Sequence, residues 1–463
     1  MGQIIFLVAS AVSGLFGRAL IADPRGLPVV NDDRRSILPY AIGLGIAFVV
    51  HAAAISHAAL SQIPFPTWLP HRAIVPILDT APLFAHTSPL VSATVEIASI
   101  AETALLVKLA FAIRRRTLRR AEKVAALLLY AAMALYSLCA RGVASADLYA
   151  YVADARLGVA CYSGALSFAD GPFRIIEYFW GQPVIPCSYG PVWIWFVHVA
   201  VGWLPDPQSS IVGLRFVSLM SFVAVLVALA RSGAAKMLVL PLALDPTILL
   251  QYVADGHNDL FGIALLLWAR YFAMRGGVGF ALVLAALAGG SKLPFLPIAM
   301  LTFIDRADVR SRFIYGITAL CGGAALSLVF GGLSYLHALG SAAQMYSTSL
   351  QPGGAFLPRV AMAATLLTIG IVLYGRRTAW PASWAFASLG SALFPWYFAW
   401  GIPYAALDPD AAWPFLASIP IVVFCMSTTY SDTVVVYPLL ILLPAAGVLF
   451  CYSSIRGLVN IRA

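Results

Sequence analysis

Long apolar runs, each interrupted by a few polar or glycine- and proline-bearing positions, recur along the whole chain. None alternates with period two, and most approach the roughly 20 residues that a helix needs to cross about 30 Å of hydrocarbon. The pattern predicts spans at 3–20, 37–57, 88–112, 122–140, 190–204, 211–230, 236–253, 258–274, 277–303, 312–333, 356–374, 382–404, 412–428 and 434–453. The 190–204 run is short enough to enter the membrane without crossing it. The 277–303 run is too long and too interrupted for one plain helix. The expectation is an all-α polytopic integral membrane protein of about 11–14 transmembrane helices. Residues 1–463 form a single multi-pass domain, with outer loops near 141–190 and 334–355.

Composition strengthens this reading. Hydrophobic residues make up 61% of the 463 and charged residues 11%, against about 25% charged in a soluble chain; mean hydropathy is +0.88. Residues 1–20 lack a basic leading segment and a small-residue cleavage site, which speaks against a cleaved signal. Phe6 stands where a myristoylation signal needs Ser or Thr.

The net charge of +9 reads as topology rather than nucleic-acid binding, because cytoplasmic loops gather Lys and Arg. Arg114, Arg115, Arg116, Arg119, Arg120 and Lys123 then lie inside, as do Arg231 with Lys236, Arg270 with Arg275, Arg306 to Arg312, and Arg376 with Arg377. Residues 141–190, Asp255 to Asp259 and 334–355 fall outside. Four of the six cysteines sit in or beside apolar runs. Cys161 and Cys187 share the outer loop and could be bridged in an oxidising compartment. No Cys/His spacing suggests a resident metal.

Ionisable residues at a membrane boundary are costly and call for a role. Arg141 through Ser145, Asp147, Tyr149, Tyr151, Asp154 and Arg156 combine carboxylates, aromatic faces for sugar rings and guanidinium forks for phosphate; a capped helix with an interfacial tyrosine belt is the plainer reading. Asp255-Gly256-His257-Asn258-Asp259 joins two apolar runs and offers a helix start that favours an anion, or simply a turn. Gly289-Gly290-Ser291-Lys292-Leu293-Pro294 places a lysine between helix breakers. This predicts two half-helices and an anion-accepting cavity, against a lysine that snorkels. Asp245-Pro246 predicts a kink. Phe394 to Trp400 is an aromatic belt or the wall of a lipid groove.

These fragments, in this order, resemble the GT-C superfamily of membrane glycosyltransferases, and most closely the bacterial polyprenyl-phosphomannose-dependent mannosyltransferases. The matching pieces are Asp147-Leu-Tyr149-Ala-Tyr151, Tyr189-Gly190-Pro191-Val-Trp193, Gly256-His257-Asn258-Asp259, Gly290-Ser-Lys292-Leu-Pro294 and Pro395-Trp396-Tyr397. The resemblance implies a GT-C-like fold in the inner (plasma) membrane with its active site facing the periplasm. It implies transfer of a sugar, mannose by the closest group, from a polyprenyl-phosphate donor to a glycan or glycolipid acceptor with inversion. Asp147 would be the general base, and Lys292, His257, Arg141 and Arg156 would bind the donor phosphate. Tyr149, Tyr151, Asp154, Tyr189, Asn258, Asp259, Trp396 and Tyr397 would line the substrate site. No cofactor is expected, a divalent metal being neither required nor excluded, and nucleic acid is not expected as a partner. The chain departs from the family at Ala160-Cys161-Tyr162-Ser163-Gly164, where relatives often carry Asn-Pro-Tyr.

Two other classes compete. A transporter or flippase would also have a broken helix and buried charges, but no internal repeat of matched hydropathy is evident. A ligase moving whole glycans would call for a larger outer loop richer in Arg and His.

Overall fold

The computed structural model describes residues 36–61, 89–114, 118–140, 147–163, 173, 187–232, 236–303, 308–349, 395–405 and 419–420, helical and without strands among the described residues. The predicted spans at 3–20, 356–374, 412–428 and 434–453 lie outside or almost wholly outside these residues. Four of the described helices are long and apolar enough to cross a membrane. The chain is an all-α membrane protein.

Helices α1 (Leu38–Ser61), α2 (Pro89–Arg114) and α3 (Arg120–Cys139) form an antiparallel set. Buried Glu122 ties the starts of α1 and α3 together. It accepts hydrogen bonds from the Ile37 amide at 3.1 Å, the Ser36 hydroxyl at 3.2 Å and the Arg119 amide at 3.0 Å. The loop helix α4 (Asp147–Leu157) continues into a 3₁₀ turn, Gly158–Ser163. The predicted outer loop is thus helical over Asp147–Leu157, and Leu148 through Ala155 are all buried.

Helix α5 (Pro191–Val201) has 11 residues, about 16 Å at 1.5 Å per residue, too short to cross. That matches the expectation for the 190–204 run. Helix α6 (Pro207–Arg231) is long and apolar enough to span, and Asp206 caps its start by accepting from the Ser209 amide at 2.8 Å and the Ser209 hydroxyl at 2.7 Å. Those two bonds hold the Asp206 carboxyl below its usual value.

The single span expected at 236–253 is broken. Helix α7 (Lys236–Ala243) stops before Asp245, and the chain resumes as a turn, Pro246–Ile248, and a π-turn, Leu249–Ala254. Proline lacks an N–H and its ring excludes the preceding helical turn. The broken ends are satisfied by buried carboxylates. Asp245 accepts from the Thr247 and Ile248 amides at 2.9 and 3.2 Å, while Glu102 of α2 accepts from the Thr247 amide at 3.1 Å and its hydroxyl at 2.9 Å.

Helix α8 (Asp259–Met274) runs parallel to α6, fixed by the Trp268 indole N–H on the Ala224 carbonyl at 3.2 Å. Helix α9 (Val278–Ser291) ends at the expected break, and α10 (Phe295–Met300) resumes after Pro294. Helix α11 covers Val309–Ser349 with a kink at Gly332, φ 60° and ψ −160°. The predicted outer loop at 334–355 is therefore helical to Ser349. Tyr335, Ala338 and Ala342 fall on one buried face at helical spacing, and Tyr335 and Ala338 join the core that contains α4. A 3₁₀ segment, Pro395–Gly401, leads into helix α12 (Ile402–Ala405).

These directions separate the helix ends by charge. Arg114, Arg120, Lys123, Arg231, Lys236 and Arg275 lie at one end. The C-terminus of α3, Asp147, the Asp255–Asp259 turn and Lys292 lie at the other, where the Arg215 guanidinium of α6 binds the Ala140 and Ala254 carbonyls at 2.8 and 2.6 Å.

Candidate active site

The polar motifs meet at this second end, and their glycines explain how. Gly256 adopts φ +67°, and a Cβ there would meet a Leu148 methyl at 2.6 Å. Glycine therefore lets the Asp255–Asp259 turn reverse while lying against the start of α4. Gly190 donates its N–H to the Ser291 carbonyl at 3.0 Å, and any Cβ on it would strike the Gly290 and Ser291 carbonyls. The Tyr189-Gly190-Pro191 corner is thereby locked to the α9 break that carries Lys292.

Lys292 is buried, with its Nζ 2.8 Å from Asp259 Oδ1 and 3.1 Å from Asn258 Oδ1. The Trp400 indole N–H also donates to Asp259 Oδ1, and the Tyr151 hydroxyl donates to Asn258 Oδ1 at 3.3 Å. The ammonium faces the rings of Tyr397 and Trp400 at 4.9 and 5.1 Å, which stack on one another at 4.0 Å. Beside this cluster, His257 Nδ1 lies 3.8 Å from Asp147 Oδ2. The Asp147 side chain is 21% exposed, whereas that of His257 is fully buried. Burial pushes the His257 imidazole down to about 3; the Asp259 carboxylate opposes that and the Lys292 ammonium reinforces it. The ring is therefore neutral at ordinary pH, one nitrogen a donor and the other an acceptor.

Aromatic rings frame the group. Tyr151 packs at 4.6 Å from Tyr189, 5.8 Å from Trp193 and 6.4 Å from His257, and Tyr252 lies 6.1 Å from His257. The arrangement can do three things: withdraw a proton at Asp147, donate hydrogen bonds from an uncharged imidazole, and present a paired ammonium beside aromatic faces.

The structure brings together Asp147, Tyr151, Tyr189, His257, Asn258, Asp259, Lys292 and Tyr397. Tyr149 is buried beside Arg215 and Asp255. Arg156 does not join the cluster: it bonds the Gly202 carbonyl at 3.2 Å and its guanidinium lies 4.9 Å from the Phe173 ring centre. Helical geometry puts it about 13 Å along α4 from Asp147. Asp154 also lies along α4, beside Cys161 and Cys187, both of which are unbridged thiols. Burial pushes the Asp154 carboxyl up to about 7. Arg141 and the Trp396 side chain lie outside the described residues.

Arg215 and Tyr252 are not among the residues that the sequence singles out, and Trp400 figures there only as the end of the Phe394–Trp400 aromatic segment. Arg215 is fully buried and clamps the end of α3 to the π-turn behind the site. The available signal was an arginine inside an apolar run.

The family described as alpha-(1->6)-mannopyranosyltransferase, N-terminal domain, matches residues 43–305, more than half of the chain. The chain belongs to this family. No curated protein and no solved structure matches it. A member of a mannosyltransferase family is a membrane glycosyltransferase, with a sugar donor and a glycan acceptor as its substrates. The matched region contains Asp147, Tyr189, His257 and Lys292. The Tyr397–Trp400 platform lies beyond the matched region, and it is the fold that brings it under Lys292.

Proposed function

We propose that this glycosyltransferase moves mannose from a polyprenyl-phosphate carrier to a hydroxyl of a glycan or glycolipid acceptor, with inversion and with Asp147 as general base. One observation carries the assignment of the base. Asp147 is partly exposed beside a neutral imidazole, while Asp259 is fully buried and held by Lys292 and Trp400. A carboxylate within reach of the acceptor hydroxyl takes its proton as the sugar carbon gains oxocarbenium character. On the opposite side of that carbon the phosphate leaves. The His257 N–H and the Lys292 ammonium are the donors suited to its oxygens in a site poor in water. Lys292 acts there as a paired charge, since Asp259 already holds it.

The α-linkage named for the family, combined with inversion, requires a β-linked donor. Separation of the basic helix ends from the site end supports a periplasmic site in the inner membrane. The test is transfer in membranes holding the full chain, supplied with polyprenyl-phosphate [¹⁴C]mannose of each anomeric configuration. Incorporation from the β donor alone, into an α-linked product, is expected. A β-linked product, or release of an unaltered donor across sealed vesicles without transfer, would overturn the proposal.

A further inference from the structure

Asp154, Cys161 and Cys187 come from three separate segments, namely α4, the 3₁₀ turn after it and the stretch leading to Tyr189. Their ligand atoms lie within 4.8 Å of one another, and all three residues are buried. The cluster stands apart from the Asp147–Lys292 site and has no part in the proposed transfer.

The decisive feature is Asp154, which is 0% exposed. Neither carboxylate oxygen meets an N–H or O–H donor among the described residues; the Cys187 thiol is its hydrogen-bonding neighbour. A buried carboxylate without a strong donor is costly. A disulfide between the cysteines would remove even the thiol donor and leave the carboxylate more isolated. A cation at the centre would satisfy all three groups together.

We propose that Asp154, Cys161 and Cys187 form a binding site for a thiolate-preferring divalent metal of the zinc class. Two sulfurs and one carboxylate oxygen are three ligands of a tetrahedron, with water at the fourth position. Loading exchanges the two thiol protons, and the Asp154 carboxyl proton where it is present, for the ion, without any change of oxidation state. The ion joins α4, which begins with Asp147, to the segment that carries Tyr189 and Gly190. It therefore braces two walls of the active site and takes no part in the chemistry. The scattered spacing, six residues and then 25 between ligands, explains why no metal motif is visible in the sequence.

The test uses the full chain, purified reduced in detergent, and reads metal content rather than transfer. Zn²⁺ alone should be retained at a single equivalent against a weak chelator. Co²⁺ alone should give the sulfur-to-cobalt charge-transfer band and the intense visible bands of a tetrahedral thiolate site. Cys187→Ser should abolish the charge-transfer band or weaken it strongly. The nearly isosteric Asp154→Asn should weaken metal retention by about 10-fold or more, at least the effect of losing an outer-shell partner. The wild-type Co²⁺ spectrum stands whether or not either variant folds. A chain that retains no ion refutes the proposal, whether intact mass then shows a Cys161–Cys187 disulfide or two alkylatable thiols.

Discussion

Replacing Lys292 with methionine keeps the length and apolar bulk of the side chain and deletes one charge. In the folded protein the Lys292 side chain is buried, its ammonium bonded to Asp259 at 2.8 Å and to Asn258 at 3.1 Å and set against Tyr397 and Trp400. Its removal leaves the Asp259 carboxylate buried with the Trp400 indole as a weaker neutral donor. Breaking a buried ion pair from one side costs about 3–5 kcal/mol, because the surviving charge keeps its desolvation penalty and loses its partner. Asp259→Asn should cost a similar amount for the mirror-image reason. The double variant, which buries no net charge, should be less destabilised than the sum of the two, by about 2 kcal/mol or more of coupling. Reversible unfolding of the purified chain in mixed detergent–dodecyl sulfate micelles measures all four corners of the cycle. A single variant that loses less than about 1 kcal/mol, or two losses that simply add, would show that the pair does not organise the site as described.

Gly190→Ala should lower both stability and transfer, because its methyl group meets two carbonyls that cannot move without opening the α9 break. Gly340→Ala, with nothing within 4 Å of the added methyl, should be neutral or stabilising by about 0.5–1 kcal/mol in the same assay. Arg215→Met removes a guanidinium that serves three backbone carbonyls and should destabilise by about 2–3 kcal/mol. Asp206→Ala should cost about 1 kcal/mol at neutral pH through loss of the α6 cap. Because the folded pKa of Asp206 lies below its unfolded value, this contribution is present above the unfolded pKa and fades as pH falls through the folded one. The wild-type and variant unfolding midpoints should therefore converge in acid; a gap that stays constant would contradict the cap.

Much of the architecture was legible because each rule acts locally. Proline and glycine at 289–294 announce a break wherever they fall in an apolar run, and the lysine between them needs a partner whatever the fold. The same reasoning placed Asp147 and the Asp255–Asp259 turn at one end, since arginine clusters mark the other. What remained hidden depends on contacts between distant segments. Arg156 looks as available for phosphate as Lys292 until the Gly202 carbonyl and the Phe173 ring are seen to occupy it. The helix to Ser349 looks like a loop in sequence because its apolar stripe, Tyr335, Ala338 and Ala342, is thin and takes shape only where α11 packs on α5 and the 3₁₀ turn after α4. The break at Asp245 was expected as a kink, but the carboxylate that completes it, Glu102, comes from another helix.

The central claim concerns Asp147, and Asp147→Asn tests it most directly. The amide keeps the size and hydrogen-bonding reach of the side chain and removes its basicity. Single-turnover transfer from β-linked polyprenyl-phosphate mannose should be measured on the purified full chain in proteoliposomes. Donor binding and unfolding midpoint should be measured on the same preparation. The account predicts a rate lower by about 10²- to 10⁴-fold, the range for loss of a general base, with donor binding and stability close to wild type. Transfer at the wild-type rate would contradict it and remove Asp147 as the base.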